Sequence, residues 1–81
     1  MTLRDRIARL YAAHPEGERA EAGTAGRRGL GQTWLARQSG RVLPEPVAPR
    51  TVRDWVRRGR LPPIGVILVE RLEEEAGLRA A

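Results

Sequence analysis

The chain has no cysteine and no lysine among its 81 residues, and a single histidine. Without cysteine, disulfides and thiolate metal sites are excluded, and nothing points to secretion. Long hydrophobic runs are also missing. The longest strictly apolar stretch, Val66-Ile67-Leu68-Val69, is far short of the ~20 residues a membrane helix needs. Thr2-Leu3-Arg4-Asp5-Arg6 opens the chain with mixed charge and not with a signal-peptide core. No membrane partner is therefore expected. His14, the one near-neutral acid–base group, stands beside Pro15 at a helix end with no evident carboxylate partner, and reads as incidental. There is no P-loop, no metal-ligand cluster, no nucleophile–base pair and no GxGxxG, and Gly29-Leu30-Gly31 is too short to cradle phosphate. An enzyme is not expected, nor are catalytic residues, cofactors or a metal.

What is present is arginine. All 15 basic residues are Arg against 10 acids, giving a net charge of +5. An arginine-only, Ala/Gly/Pro-rich composition also follows from a GC-rich genome, so the choice of Arg says little. The distribution says more. Residues 1–26 are neutral; residues 27–60 hold nine Arg against Glu45 and Asp54, a net +7; residues 61–81 come to −2. Positive charge gathered in one third of a chain is the footprint of a polyanion-binding surface.

The length suits one small domain over residues 1–81. Thr2–Ala13 reads as a scaffold helix, with Thr2 and Asp5 in capping-box positions, an apolar stripe of Leu3, Ile7, Leu10 and Tyr11, and His14-Pro15 as its stop. Residues 16–31 have almost no large apolar side chain besides Leu30 and read as a long flexible loop, an untethered linker in preference to one whose Arg27 and Arg28 touch phosphate. Gln32–Ser39 reads as the second helix, closed by Gly40, with Leu35 and Ala36 inward and Trp34 partly buried. Gln32 and Thr33 lie at its start, where free N–H groups and the dipole favour an anion. The third helix has the clearest pattern. Val52, Trp55 and Val56 share one face; Arg50, Arg53, Asp54, Arg57 and Arg58 take the other. Pro49 suits its first turn, Gly59 a left-handed cap, and Leu61-Pro62-Pro63 prevents it from running on. An apolar keel under a guanidinium face fits a DNA major groove in width and sign of charge.

Gln32-Thr33-Trp34-Leu35-Ala36-Arg37-Gln38-Ser39-Gly40, then Val47-Ala48 and Thr51-Val52-Arg53-Asp54-Trp55, resembles the helix-turn-helix of phage Cro/CI-type (XRE-like) repressors. The likeness covers about residues 31–77 and extends through Leu61-Pro62-Pro63 to a helix containing Glu70. Two features depart from the family pattern. The turn is about six residues longer than the usual 3–4, through Arg41-Val42-Leu43-Pro44-Glu45-Pro46. Ser39 stands where an apolar residue is common. The resemblance implies an all-α, lambda-repressor-like bundle of four to five helices, with the helix-turn-helix over residues 32–60. It implies a bacterial, cytoplasmic transcriptional regulator in the nucleoid or a phage-infected cell, binding a double-stranded DNA operator as a repressor by occupancy. Arg50, Thr51 and Arg53 then lie where base edges are read, with Arg57 one turn on; arginine pairs bidentately with guanine. Gln32, Thr33, Arg58 and Arg60 are phosphate candidates, Arg37 and Arg41 weaker ones. Leu35, Ala36, Val52, Trp55, Leu68 and Leu72 are core.

Residues 62–77 read as the final helix, with Pro63 in its first turn, a stripe of Ile64, Ile67, Leu68 and Leu72, and Gly77 as its cap. Val66 and Val69 lie off that stripe, so a second copy of the chain has an apolar face to cover. A homodimer, through this helix or on DNA, is expected. Glu73-Glu74-Glu75 reads as a solvated face. Two other functions use the same residues. Thr51–Pro62 also resembles the first part of MerR/excisionase-type winged helices, which would make Val66–Val69 a strand. A protein-interaction module, such as an antitoxin or polymerase-binding factor, would make the basic surface incidental.

Overall fold

Thr2 starts the first helix as the sequence requires. Its side chain accepts a bond from the Asp5 N–H at 3.1 Å, and Asp5 bonds back to the Thr2 N–H at 3.3 Å. The computed structural model describes residues 2–15 and 30–79. These form four helices: α1 (Leu3–Ala13), α2 (Leu30–Val42), α3 (Pro49–Arg58) and α4 (Pro63–Glu75). The fold is all-α, with no strand among the described residues. None of their helices is long and apolar enough to cross a membrane. The loop expected over residues 16–31 lies, up to residue 29, outside the described residues, as do Arg27 and Arg28.

α2 packs against both α1 and α3, and α4 closes the bundle over α1 and α2. The core joins Ile7, Leu10 and Tyr11 of α1 to Trp34, Leu35 and Ala36 of α2, Val52 and Trp55 of α3, and Leu68, Val69 and Leu72 of α4. All six expected core residues are in it. Trp34 is buried outright, not partly, with its ring 5.5 Å from Tyr11 and 5.3 Å from His14.

Three expectations are corrected. α2 does not begin at Gln32 or stop at Gly40; it takes in Leu30 and Gly31 and runs on to Val42. A glycine inside a helix costs only about 1 kcal/mol. Here the continuation places Val42 and Leu43 against the core, which offsets it. The linking turn is therefore residues 43–48, later than expected. Ser39 explains why so long a turn holds its shape. It is fully buried, donates to the Ala36 carbonyl and accepts the Val47 N–H at 2.7 Å. An apolar residue there would leave that N–H without its partner.

The buried stripe of α4 is Gly65, Leu68, Val69 and Leu72, while Ile64 and Ile67 are 42% and 56% exposed. The reason is Gly65, which lets Trp55 lie against the first turn of α4. A methyl group there would come within 3.2 Å of Trp55 Cζ3 and 3.1 Å of Leu61 Cδ2. Helix spacing then carries the buried face from 65 to 68, 69 and 72.

The glutamate run is a solvated face only in part: Glu74 and Glu75 are exposed, but Glu73 is not. Glu73 is buried and takes a bidentate pair from Arg6, both contacts at 2.8 Å. Glu75 Oε1 lies 2.8 Å from His14 Nε2 and 2.6 Å from Arg41 Nη2. His14 thus has a carboxylate partner, on the far end of the chain. The Glu75 pairs tie the ends of α1 and α2 to the end of α4, and Arg6–Glu73 ties the first half of α1 to it.

The Arg41 guanidinium, with His14 behind it and against a smaller burial penalty, lowers the Glu75 carboxyl from its ordinary 4.5 to about 2. Arg6 holds Glu73 low in the same way. Carboxyls that ionise more readily when folded add stability above the ordinary carboxylate range and lose it as pH falls through the folded value. Thermal melts should therefore drop in midpoint between about pH 4.5 and 2. Glu75→Gln should start lower at pH 6 and lose less on acidification; a drop equal to the wild type's would show that the pair adds nothing.

Candidate nucleic-acid interface

α3 is built to show one face and hide the other. Ala48 caps it in extended conformation without a side-chain bond, and Pro49 occupies the first position, where no N–H is needed. Gly59 ends it at φ +75°, its N–H donating to the Trp55 and Val56 carbonyls at 2.9 and 3.1 Å. That left-handed conformation is open to glycine and strained for other residues. Between these stops, Val52 and Trp55 are buried, Val56 is half-buried, and Arg50, Thr51, Arg53, Arg57 and Arg58 are exposed. The four residues expected to read bases share one surface. With Asp54 they line a shallow depression of about 510 Å³.

Asp54 is the one acid in the lining of that depression. Glu70, Glu73 and Glu75 of α4 engage Arg6, Arg41, Arg71 and Arg79. On α3 there is one carboxylate, Asp54, shared between Arg57 at 2.8 Å and Arg58 at 3.2 Å. Both arginines remain open to solvent, at 82% and 65% exposure, so these pairs are worth little. Arg50, Arg53 and Arg60 enter no ion pair among the described residues. The face carries an excess of positive charge that the fold does not use.

No protein-family model, no curated protein and no solved structure matches this chain. The site stands on its own geometry.

The expected phosphate candidates divide. Arg58 and Arg60 meet at the C-terminal end of α3, in a depression shared with Leu61 and Pro62. Gln32 lies in the first turn of α2, 7% exposed, beside Arg53 and Arg57. Thr33, next to it, is half-buried. Arg37 is exposed on α2 and lines none of the depressions around α3. Arg41 gives its guanidinium to Glu75 in two bonds, at 2.6 and 3.1 Å, and stays exposed. Val66–Val69 lie inside α4, so the β-wing of the winged-helix alternative is not formed.

The start of α1 also reaches this face, which spacing alone does not reveal. Thr2 and Arg4 stand beside Gln32, Arg53 and Arg57. That neighbourhood depends on how α1 crosses the bundle, and no local pattern encodes it.

Proposed function

We propose that this chain is a helix-turn-helix transcriptional regulator of the Cro/CI type. It binds a double-stranded DNA operator and represses by occupancy, as a phage or mobile-element regulator of a bacterial cell would. One observation carries the reading: α3 buries Val52 and Trp55 and turns Arg50, Thr51, Arg53 and Arg57 outward on a single surface. A short helix of that width and charge enters a major groove. Arg50, Thr51, Arg53 and Arg57 read base edges, with guanine the partner of the arginines. Gln32, Thr33, Arg58 and Arg60 touch phosphates on either side.

One such unit reads few base pairs, and two copies on a two-fold site remedy this. The apolar face left for the second copy is that of Ile64 and Ile67, exposed on α4, and not that of Val69, which is fully buried. Pairing there, or on DNA alone, makes the active species a homodimer.

Selection of duplexes from a random pool tests the reading. The expected outcome is an enriched, guanine-containing motif repeated about one helical turn away. No enriched motif, together with capture of one specific protein, would favour the interaction-module alternative. On the selected duplex, Arg53→Ala should cost about 1–3 kcal/mol of binding and relax preference at one base position. An equal loss on every sequence would reassign Arg53 to phosphate.

A further inference from the structure

The first turn of α1 forms one wall of a groove. Thr2 and Arg4 face Gln32 of α2 and Arg53, Val56 and Arg57 of α3 across about 500 Å³. Three guanidiniums from two helices line this groove, and no carboxylate does. Arg4 and Arg53 enter no ion pair among the described residues, and Arg57 has only Asp54. The nearest acid in sequence, Asp5, is turned back onto Thr2 by the capping box and stays out of the lining.

Gln32 makes the groove more than a basic patch. The residue is 93% buried, that is, 7% exposed, yet its side-chain amide forms no hydrogen bond among the described residues. Its amide is not sealed off from solvent, and the residue lines the groove. Largely buried amides are normally paired, because desolvating one without a partner is costly. An amide left open between three arginines is suited to an oxyanion that arrives from outside.

We infer that this groove holds a phosphodiester of the DNA strand flanking the bases read by α3, with Arg4 gripping it from the α1 side. The inference rests on the DNA-binding reading and extends it: α1 belongs to the interface and is not only scaffold. The Gln32 amide donates to one phosphate oxygen, Arg4 to another, and Val56 forms the apolar floor. Arg53 and Arg57, at the inner edge, connect this phosphate to the base-reading face.

Wild type, Arg4→Ala and Arg4→Lys are titrated against the selected duplex and an unrelated one, from 50 to 200 mM salt. Arg4 is exposed, so unchanged helicity and melting serve as the check on folding. Arg4→Ala should weaken binding to both duplexes alike. Over that salt range the wild type should lose about 3-fold more affinity than Arg4→Ala, the share of one phosphate contact. Arg4→Lys, which keeps the charge, should restore the salt dependence. If the wild type binds the selected duplex and Arg4→Ala matches it in affinity and salt dependence, the groove is not a phosphate site and the DNA reading stands. A loss confined to one base position also overturns the assignment, since Arg4 would then be reading a base. If the wild type binds no duplex in a salt-dependent way, the DNA reading falls and the groove assignment with it.

Discussion

Trp55→Ala should remove about 3–5 kcal/mol of folding stability, the range for emptying a buried indole site. Trp55 is 6% exposed and joins three parts of the fold. It anchors the keel of α3, meets the first turn of α4 at Gly65, and accepts the cap of its own helix through its carbonyl. Domains of this size hold roughly 5–15 kcal/mol in total, so the loss is a large fraction of the whole. Each kcal/mol moves the midpoint of a small domain by about 4–8 °C, which places the shift above roughly 12 °C. Differential scanning calorimetry reads it directly. An unchanged melting curve would show that the indole is not core, and α3 would then have no defined inner face.

The second large effect belongs to Glu73→Ala. Removing one member of a buried ion pair costs about 3–5 kcal/mol, because the other charge is left without its partner. The Glu73 side chain is 11% exposed and that of Arg6 is 32% exposed, so water recovers part of the loss. About 2–3 kcal/mol is expected, in urea or thermal unfolding. Asp54→Ala is the contrast. It removes the partner of two highly exposed arginines and should change stability by less than about 0.5 kcal/mol. Equal effects at Glu73 and Asp54 would mean that Glu73 is as solvated as its sequence context suggested. A double-mutant cycle with Arg6→Ala should show coupling, since the two residues share their hydrogen bonds.

α1 and α3 were legible because every local signal agreed. Thr2 and Asp5 named the start of α1; Pro49, Gly59 and Pro62 bounded α3; apolar spacing gave the inner face of both. The candidate site inherited that clarity, since Arg50, Thr51, Arg53 and Arg57 all lie on one helix. α4 was legible in extent but not in orientation. A hydrophobic count passes over Gly65, and the true stripe begins at that glycine, so spacing alone turns Ile64 and Ile67 inward and omits Val69. Gly40 misled in the opposite sense, read as a stop where the helix continues. The long-range ion pairs were not legible at all. Arg6 meets Glu73 across 67 residues and His14 meets Glu75 across 61, so nothing in their neighbourhoods marks them. The placement of Arg4 beside α3 is hidden for the same reason.

On the proposed function, the exposed arginines of α3 read guanine from the major groove. Methylation of guanine N7 in the selected duplex puts a methyl group where such an arginine would bond. Binding should be blocked by methylation at particular guanines within each half-site, and Arg53→Ala should abolish the sensitivity at one of them. Binding indifferent to N7 methylation at every guanine would contradict the claim.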